Sequence, residues 1–122
     1  IRFMRDLTRG GLATAVKEVA LAASVDIWLV EEALPVARAV RAGADVLGLD
    51  PLYLANEGKF LAIVAREEAE HALTVLKEHR LGRAAAVIGE VREGRGNAYL
   101  KTALGGTKFL DLMAGAPLPR IC

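Results

Sequence analysis

Three separated stretches of this 122-residue chain carry side chains that could do chemistry. Asp6-Leu7-Thr8-Arg9-Gly10-Gly11 places two glycines and an arginine just ahead of a helical apolar pattern. Glycines there let backbone approach an anion, the helix N-terminus supplies positive potential, and Arg9 adds a planar fork suited to phosphate or carboxylate. The bland reading of the same residues is a helix start capped by Thr8 or Asp6. Asn56-Glu57-Gly58-Lys59 sets a carboxylate beside an amide at the mouth of a strand, where burial would turn Glu57 into a general base. Its bland reading is a solvated turn.

The third stretch is the end of the chain. Cys122, the only cysteine, closes Gly115-Ala116-Pro117-Leu118-Pro119-Arg120-Ile121-Cys122. Pro117 and Pro119 donate no backbone hydrogen bond and favour an extended arm. Extended residues at about 3.3 Å each give these eight a reach of roughly 25 Å. The pattern is that of a carrier thiol, although a lone cysteine is more often a small hydrophobe. The neighbouring terminal carboxylate disfavours the thiolate, so loading of Cys122 calls for an activated donor, and a tail that threads its tip into a site should tolerate no extension. His71 and His79, eight apart, do not make the i, i+4 pair of a zinc helix, and with one cysteine no metal signature is present.

The elements that must position these groups follow from periodicity. Leu12, Val16, Val19 and Ala23 predict a helix over 12–23, and the alternation of Val25, Ile27 and Leu29 predicts a strand over 25–30. Pro35 fits a first helical turn, with Val36, Val40 and Leu47 as its stripe and Gly48 as its stop. A turn-rich connector over 49–58 leads into a strand over 59–65, whose unbroken apolar run implies burial on both faces. Glu67 to His79 reads as a third helix stopped by Gly82. Ala85–Val91 and Asn97–Thr102 predict a hairpin around Glu93-Gly94-Arg95-Gly96, and Gly105-Gly106 turns the chain into a last strand over 107–112. Trp28, Tyr53 and Tyr99 read as packing residues with polar handles, Phe60–Val64 as core, and Glu31, Glu32, Asp45 and Asp50 as surface or capping groups. The order α-β-α-β-α-β-β-β implies an α+β domain: a mixed β-sheet with packed helices, of partly ferredoxin-like topology, over residues 1–114, with an extended C-terminal tail over 115–122.

Composition sets limits. At 53% hydrophobic and 25% charged residues, with 16 Lys plus Arg against 15 Asp plus Glu, the chain suits one domain with a real core and lacks the basic excess of a nucleic-acid or anionic-membrane binder. The apolar run 60–65 is too short to span a bilayer. One thiol and no signal peptide point to the cytoplasm. The start at Ile1-Arg2-Phe3, without Met and directly before a dense motif, predicts a fragment of a longer chain.

Met4 to Gly11, the connector Asp50-Pro51-Leu52-Tyr53-Leu54-Ala55-Asn56-Glu57-Gly58-Lys59, the turn Thr102-Ala103-Leu104-Gly105-Gly106 and the terminus Leu118-Pro119-Arg120-Ile121-Cys122 together resemble the C-terminal domain of the hydrogenase expression/formation protein HypE family. The likeness covers nearly the whole chain. Aminoimidazole ribonucleotide synthetase, selenophosphate synthetase and thiamine-monophosphate kinase carry relatives of the glycine-rich motif, so the Pro-Arg-Ile-Cys terminus is the specific part. The resemblance implies the PurM C-terminal-domain fold and an ATP-dependent carbamoyl dehydration performed on the protein's own tail. A carbamoyltransferase, HypF, loads Cys122, and the S-carboxamide becomes a thiocyanate that supplies cyanide to the iron of a [NiFe] hydrogenase through a HypC–HypD scaffold. By the same resemblance Glu57 is the base, Asn56 and Lys59 orient the carboxamide, and Asp6, Thr8, Arg9, Gly10 and Gly11 line the site or contact phosphate. ATP and Mg²⁺ are held mainly by an absent N-terminal domain, which also forms most of a homodimer interface, so these 122 residues are expected to fold without turning over ATP. Two other readings stay open: a non-catalytic ferredoxin-like ligand-binding or dimerisation module, and a different ATP-dependent synthetase acting on a small-molecule oxygen.

Overall fold

The computed structural model describes residues 1–113; the tail and Cys122 lie outside them. Strand β1 (Phe3–Leu7) leads through the glycine pair into helix α1 (Gly11–Ala23), and β2 (Val25–Val30) follows after one residue. Helix α2 (Arg38–Leu47), strand β3 (Asn56–Ile63), helix α3 (Ala69–Glu78) and strands β4 (Gly89–Glu93), β5 (Ala98–Lys101) and β6 (Thr107–Leu110) complete the order. The class is α+β as expected, but the strands form two sheets. β1 and β3 make an antiparallel ribbon, and β4-β2-β5-β6 make a mixed sheet in which β2 and β5 run parallel.

Helix α1 is the hub. Ala13, Ala15, Val16 and Ala20 are fully buried, and these small side chains let the helix lie close against both β2 and the ribbon. Ile27, Leu29, Ala98, Leu100 and Leu110 supply the inner face of the sheet. Ser24 closes α1 in the left-handed region, its N–H donating to the Ala20 and Leu21 carbonyls, so the chain reverses into β2 without a loop.

Four expectations are corrected. The predicted hairpin around 93–96 does not form, because β2 lies between β4 and β5. Asp26 Oδ1 accepts 2.9 Å hydrogen bonds from the Arg95 and Asn97 amides and holds the connecting loop across the end of β2. The strand expected to be buried on both faces is half of a ribbon covered on one side. Leu61 faces the core while Phe60 stays half exposed, so the apolar run is not all core. Pro35 sits in an extended lead-in rather than in the first turn of α2, which begins at Arg38 and buries Ala44 instead of Val40 and Leu47. Finally, the segment ahead of α1, to which the expected order gave no strand, contains β1.

The two Asp26 hydrogen bonds hold its carboxyl below the ordinary value of 3.8, the Asn97 amide contributing most. A depressed folded pKa means stabilisation that is complete above the ordinary value and lost as pH falls through the lower folded one. Asp26→Ala is therefore expected to lower the melting temperature at pH 7 by more than it does at pH 2, and equal losses at both would show that the charge contributes nothing.

On the outer face of the sheet, Trp28 stacks on Tyr99 with ring centroids 4.2 Å apart, Tyr99 meets Phe109 at 5.0 Å, and the Arg92 guanidinium lies over the Trp28 ring. Trp28 and Tyr99 are thus packing residues, as expected, on the solvent side of the sheet.

Candidate functional site

The ribbon brings the first two motifs together. Met4, Arg5 and Asp6 pair in regular antiparallel register with Ala62, Leu61 and Phe60, and the next pair is Leu7 with Asn56. Glu57, Gly58 and Lys59 are therefore extruded from β3 as a bulge facing the end of β1, with Gly58 at φ 71 permitting the turn. Bulges of this kind re-aim side chains beside functional sites. Lys59 Nζ donates to Asn56 Oδ1 at 3.1 Å across the bulge. Glu57 and Lys59 are exposed and Asn56 is half-buried. The domain does not itself bury Glu57.

At the end of β1, Thr8 donates through both its hydroxyl (2.8 Å) and its amide (3.4 Å) to Asp6 Oδ1. These bonds hold the Asp6 carboxyl below the ordinary carboxylate value, the hydroxyl contributing most. Neither residue caps α1, contrary to the bland reading of the motif. Gly10 takes the N-cap position in the left-handed region, with no side-chain cap.

Gly11, at φ 65, lies directly against the connector backbone. A Cβ there would lie 2.4 Å from the Leu52 carbonyl oxygen and 2.6 Å from that of Leu54. The close approach this glycine permits is that of the connector backbone, whose 3₁₀ turn Pro51–Tyr53 packs on the start of α1. Gly11→Ala combines a left-handed backbone with a backbone clash and is expected to cost about 3 kcal/mol. A thermal melt within a degree of wild type would remove this packing role.

The connector is also tied to β6. Asp50 caps the 3₁₀ turn by accepting from the Leu52 amide at 2.9 Å, as its capping role predicts, and it pairs with Lys108. The Tyr53 hydroxyl donates to the Asp111 carbonyl oxygen (3.0 Å) and accepts from the Asp111 amide (3.1 Å). Sequence reasoning marked Tyr53 as a packing residue with a polar handle, but its partner 58 positions away left no local signal. Arg5 pairs with Glu18, and Lys17 donates to the Gly96 carbonyl at 2.9 Å, locking α1 to the ribbon and to the loop across β2. These two bonds were also missed, since charged helix residues read as a solvated face.

The end of the ribbon thus gathers two carboxylates, an amide, a hydroxyl and the cations Arg9 and Lys59. A carboxylate beside an amide can take a proton from a carboxamide while the amide orients it. Among the described residues no group of three or more His, Cys, Asp and Glu is placed to hold a metal ion, and no helix is long and apolar enough to cross a membrane.

Residues 1–101 match the family described as AIR synthase related protein, C-terminal domain, and the chain belongs to that family. Within it, the similarity is to HypE. The whole chain is 48% identical over 123 aligned residues to carbamoyl dehydratase HypE of Bradyrhizobium diazoefficiens, of which it spans 36%. A crystal structure of hydrogenase maturation protein HypE in complex with ATP matches with a TM-score of 0.90 at 46% identity, over 98% of this chain and 37% of that one. A crystal structure of a HypE–HypF complex matches with a TM-score of 0.84 at 39% identity, over 88% and 35% of the two chains. The chain spans little more than a third of the length of the curated relatives it matches.

Proposed function

We propose that this chain is the C-terminal part of an ATP-dependent carbamoyl dehydratase that converts an S-carboxamide on its own Cys122 to a thiocyanate in the cytoplasm, for the cyanide ligand of a [NiFe] hydrogenase. The observation that carries the reading is the Leu7–Asn56 junction, which sets the Glu57 bulge against the Asp6–Arg9 segment in a chain 48% identical to a carbamoyl dehydratase HypE. Residues 1–114 form the synthetase-like domain and 115–122 the carrier tail. HypF is the carbamoyl donor, a HypC–HypD complex the cyanide acceptor, and the full-length protein a homodimer.

ATP, as co-substrate, supplies the phosphoryl group that lets the carboxamide oxygen leave as phosphate. Two N–H protons must leave the nitrogen, one as the oxygen is phosphorylated and one as phosphate departs and the C≡N bond forms. Glu57 takes a proton from that nitrogen. Asn56 and Lys59 orient the carboxamide. Arg9, Thr8 and Gly10 face the transferred phosphoryl group from one side, with Asp6 fixing Thr8 and Gly11 seating the connector. Adenosine and Mg²⁺ are assigned to the remainder of the longer chain, in keeping with the resemblance to HypE, of which this chain spans 36%.

The test is intact-mass spectrometry of the full-length protein after incubation with the carbamoyltransferase, before and after ATP. A carbamoyl increment on Cys122 followed by loss of one water is expected. An unmodified Cys122 beside a demonstrably active transferase would leave the non-catalytic binding module as the better reading.

A further inference from the structure

The Tyr53 hydroxyl joins two parts of the molecule that the dehydratase reading must bring together. It clamps both backbone groups of Asp111, the first residue after β6, and lies three residues ahead of Asn56. Leu110, just before the clamp, is 1% exposed and anchors β6 in the core, whereas Leu112 and Met113 are exposed. Among the described residues, Asp111 is therefore the first beyond the last buried position of β6. The connector meets β6 at a second point through the Asp50–Lys108 pair. Both contacts fall on the turn that seats against Gly11 and runs on into the Glu57 bulge.

We propose that Tyr53 is a positioning residue whose hydroxyl fixes the Asp111 backbone, from which the last eleven residues continue to Cys122, and so governs delivery of the thiol. This inference rests on the dehydratase reading. From Asp111, eleven residues lead to Cys122, a fully extended span of roughly 36 Å, so the place of Asp111 bounds where the thiol can go and sets its effective concentration at any site within reach. Tyr53 touches neither carboxamide nor phosphate in this scheme and acts through the Asp111 backbone. Its aromatic ring packs against the core with no need of the hydroxyl, so Tyr53→Phe keeps the packing and removes the clamp.

The experiment compares delivery in cis and in trans. The full-length protein is carbamoylated on Cys122, and its dehydration is followed by intact mass in a single turnover with ATP. In parallel, the full-length protein truncated after Met113 is given a synthetic peptide of residues 115–122 bearing a carboxamide on its cysteine sulfur. Tyr53→Phe is expected to slow the reaction in cis roughly twofold to fivefold and to leave the reaction in trans unchanged. Faster amide exchange at Asp111 and Leu112, with α1 and β2 unaltered, is the accompanying signature. An unchanged cis rate overturns the positioning role, as does an equal fall in cis and trans, which would place Tyr53 in the site or in packing alone. Should Tyr53→Phe fail to fold, Asp111→Pro deletes the amide that donates to the hydroxyl and carries the same expectations. If the wild-type protein releases no water from Cys122 at all, the dehydratase reading falls and this inference falls with it. Normal wild-type turnover beside an indifferent variant overturns this inference alone.

Discussion

Cys122→Ala in the full-length protein is expected to take up no carbamoyl group and to form no thiocyanate, a complete loss rather than a slowed rate. In the proposed reaction the product's C≡N carbon is bonded to that sulfur, and Cys122 is the only thiol among these 122 residues. A hydroxyl or an amine could be carbamoylated, but neither would give a thiocyanate. The measurement is intact mass with the transferase and ATP present, and melting temperature serves as the control. An unchanged melting temperature would assign the loss to the thiol rather than to the fold. One extra residue after Cys122 tests the same idea from another side: the thiol survives, but it no longer forms the tip, and dehydration should fall while carbamoylation persists. Thiocyanate formed by the alanine variant would sink the carrier role outright.

Local patterns located those elements whose partners are covered in the ordinary way. Val25–Val30 alternates because Ile27 and Leu29 face α1 while Trp28 faces the aromatic ladder outside, and the strand emerges with the bounds expected of it. α1 differs from expectation by one residue at its start, where Gly11 joins the helix. The misreadings share a cause, which is long-range pairing. β1 contains Arg5 and Asp6 and is followed, after two residues, by the glycine pair, so no strand pattern marks it. It becomes a strand because β3, more than fifty positions later, offers it a register. The false hairpin has the same origin. Nearness in sequence favours pairing β4 with β5, but the Asp26 carboxylate captures the intervening loop and lets β2 occupy the space between them.

The site was legible as parts and illegible as an arrangement. Asn56, Glu57, Arg9 and the glycine pair announce themselves by residue type, yet nothing in either motif says that Leu7 pairs with Asn56. Gly11 also carries a packing demand that the motif does not announce, because a glycine at a helix start suits a phosphate and a neighbouring carbonyl equally well, and the connector that lies against it is about forty positions away in sequence. Phe60 shows the limit from the other side: its apolar run implied two covered faces, and within this domain one of them is open.

Glu57→Gln is the sharpest test of the chemistry, with an expected fall in dehydration rate of roughly 10²- to 10⁴-fold, the range that a positioned general base contributes. Glutamine keeps the length and the hydrogen-bonding outline of the side chain, and Gly58 and the Lys59–Asn56 bond, both retained, help shape the bulge. The variant should therefore fold and accept the carbamoyl group normally, so that the loss appears only after ATP is added. The prediction is demanding because Glu57 lies exposed on its bulge in this domain. A base acting on an amide nitrogen works best where water is excluded, and the described residues do not supply that exclusion around Glu57. Carbamoylated Glu57→Gln losing water within twofold of the wild-type rate would remove Glu57 as the base. Asp6, held as a carboxylate by Thr8 at the same end of the ribbon, would then be the group to test.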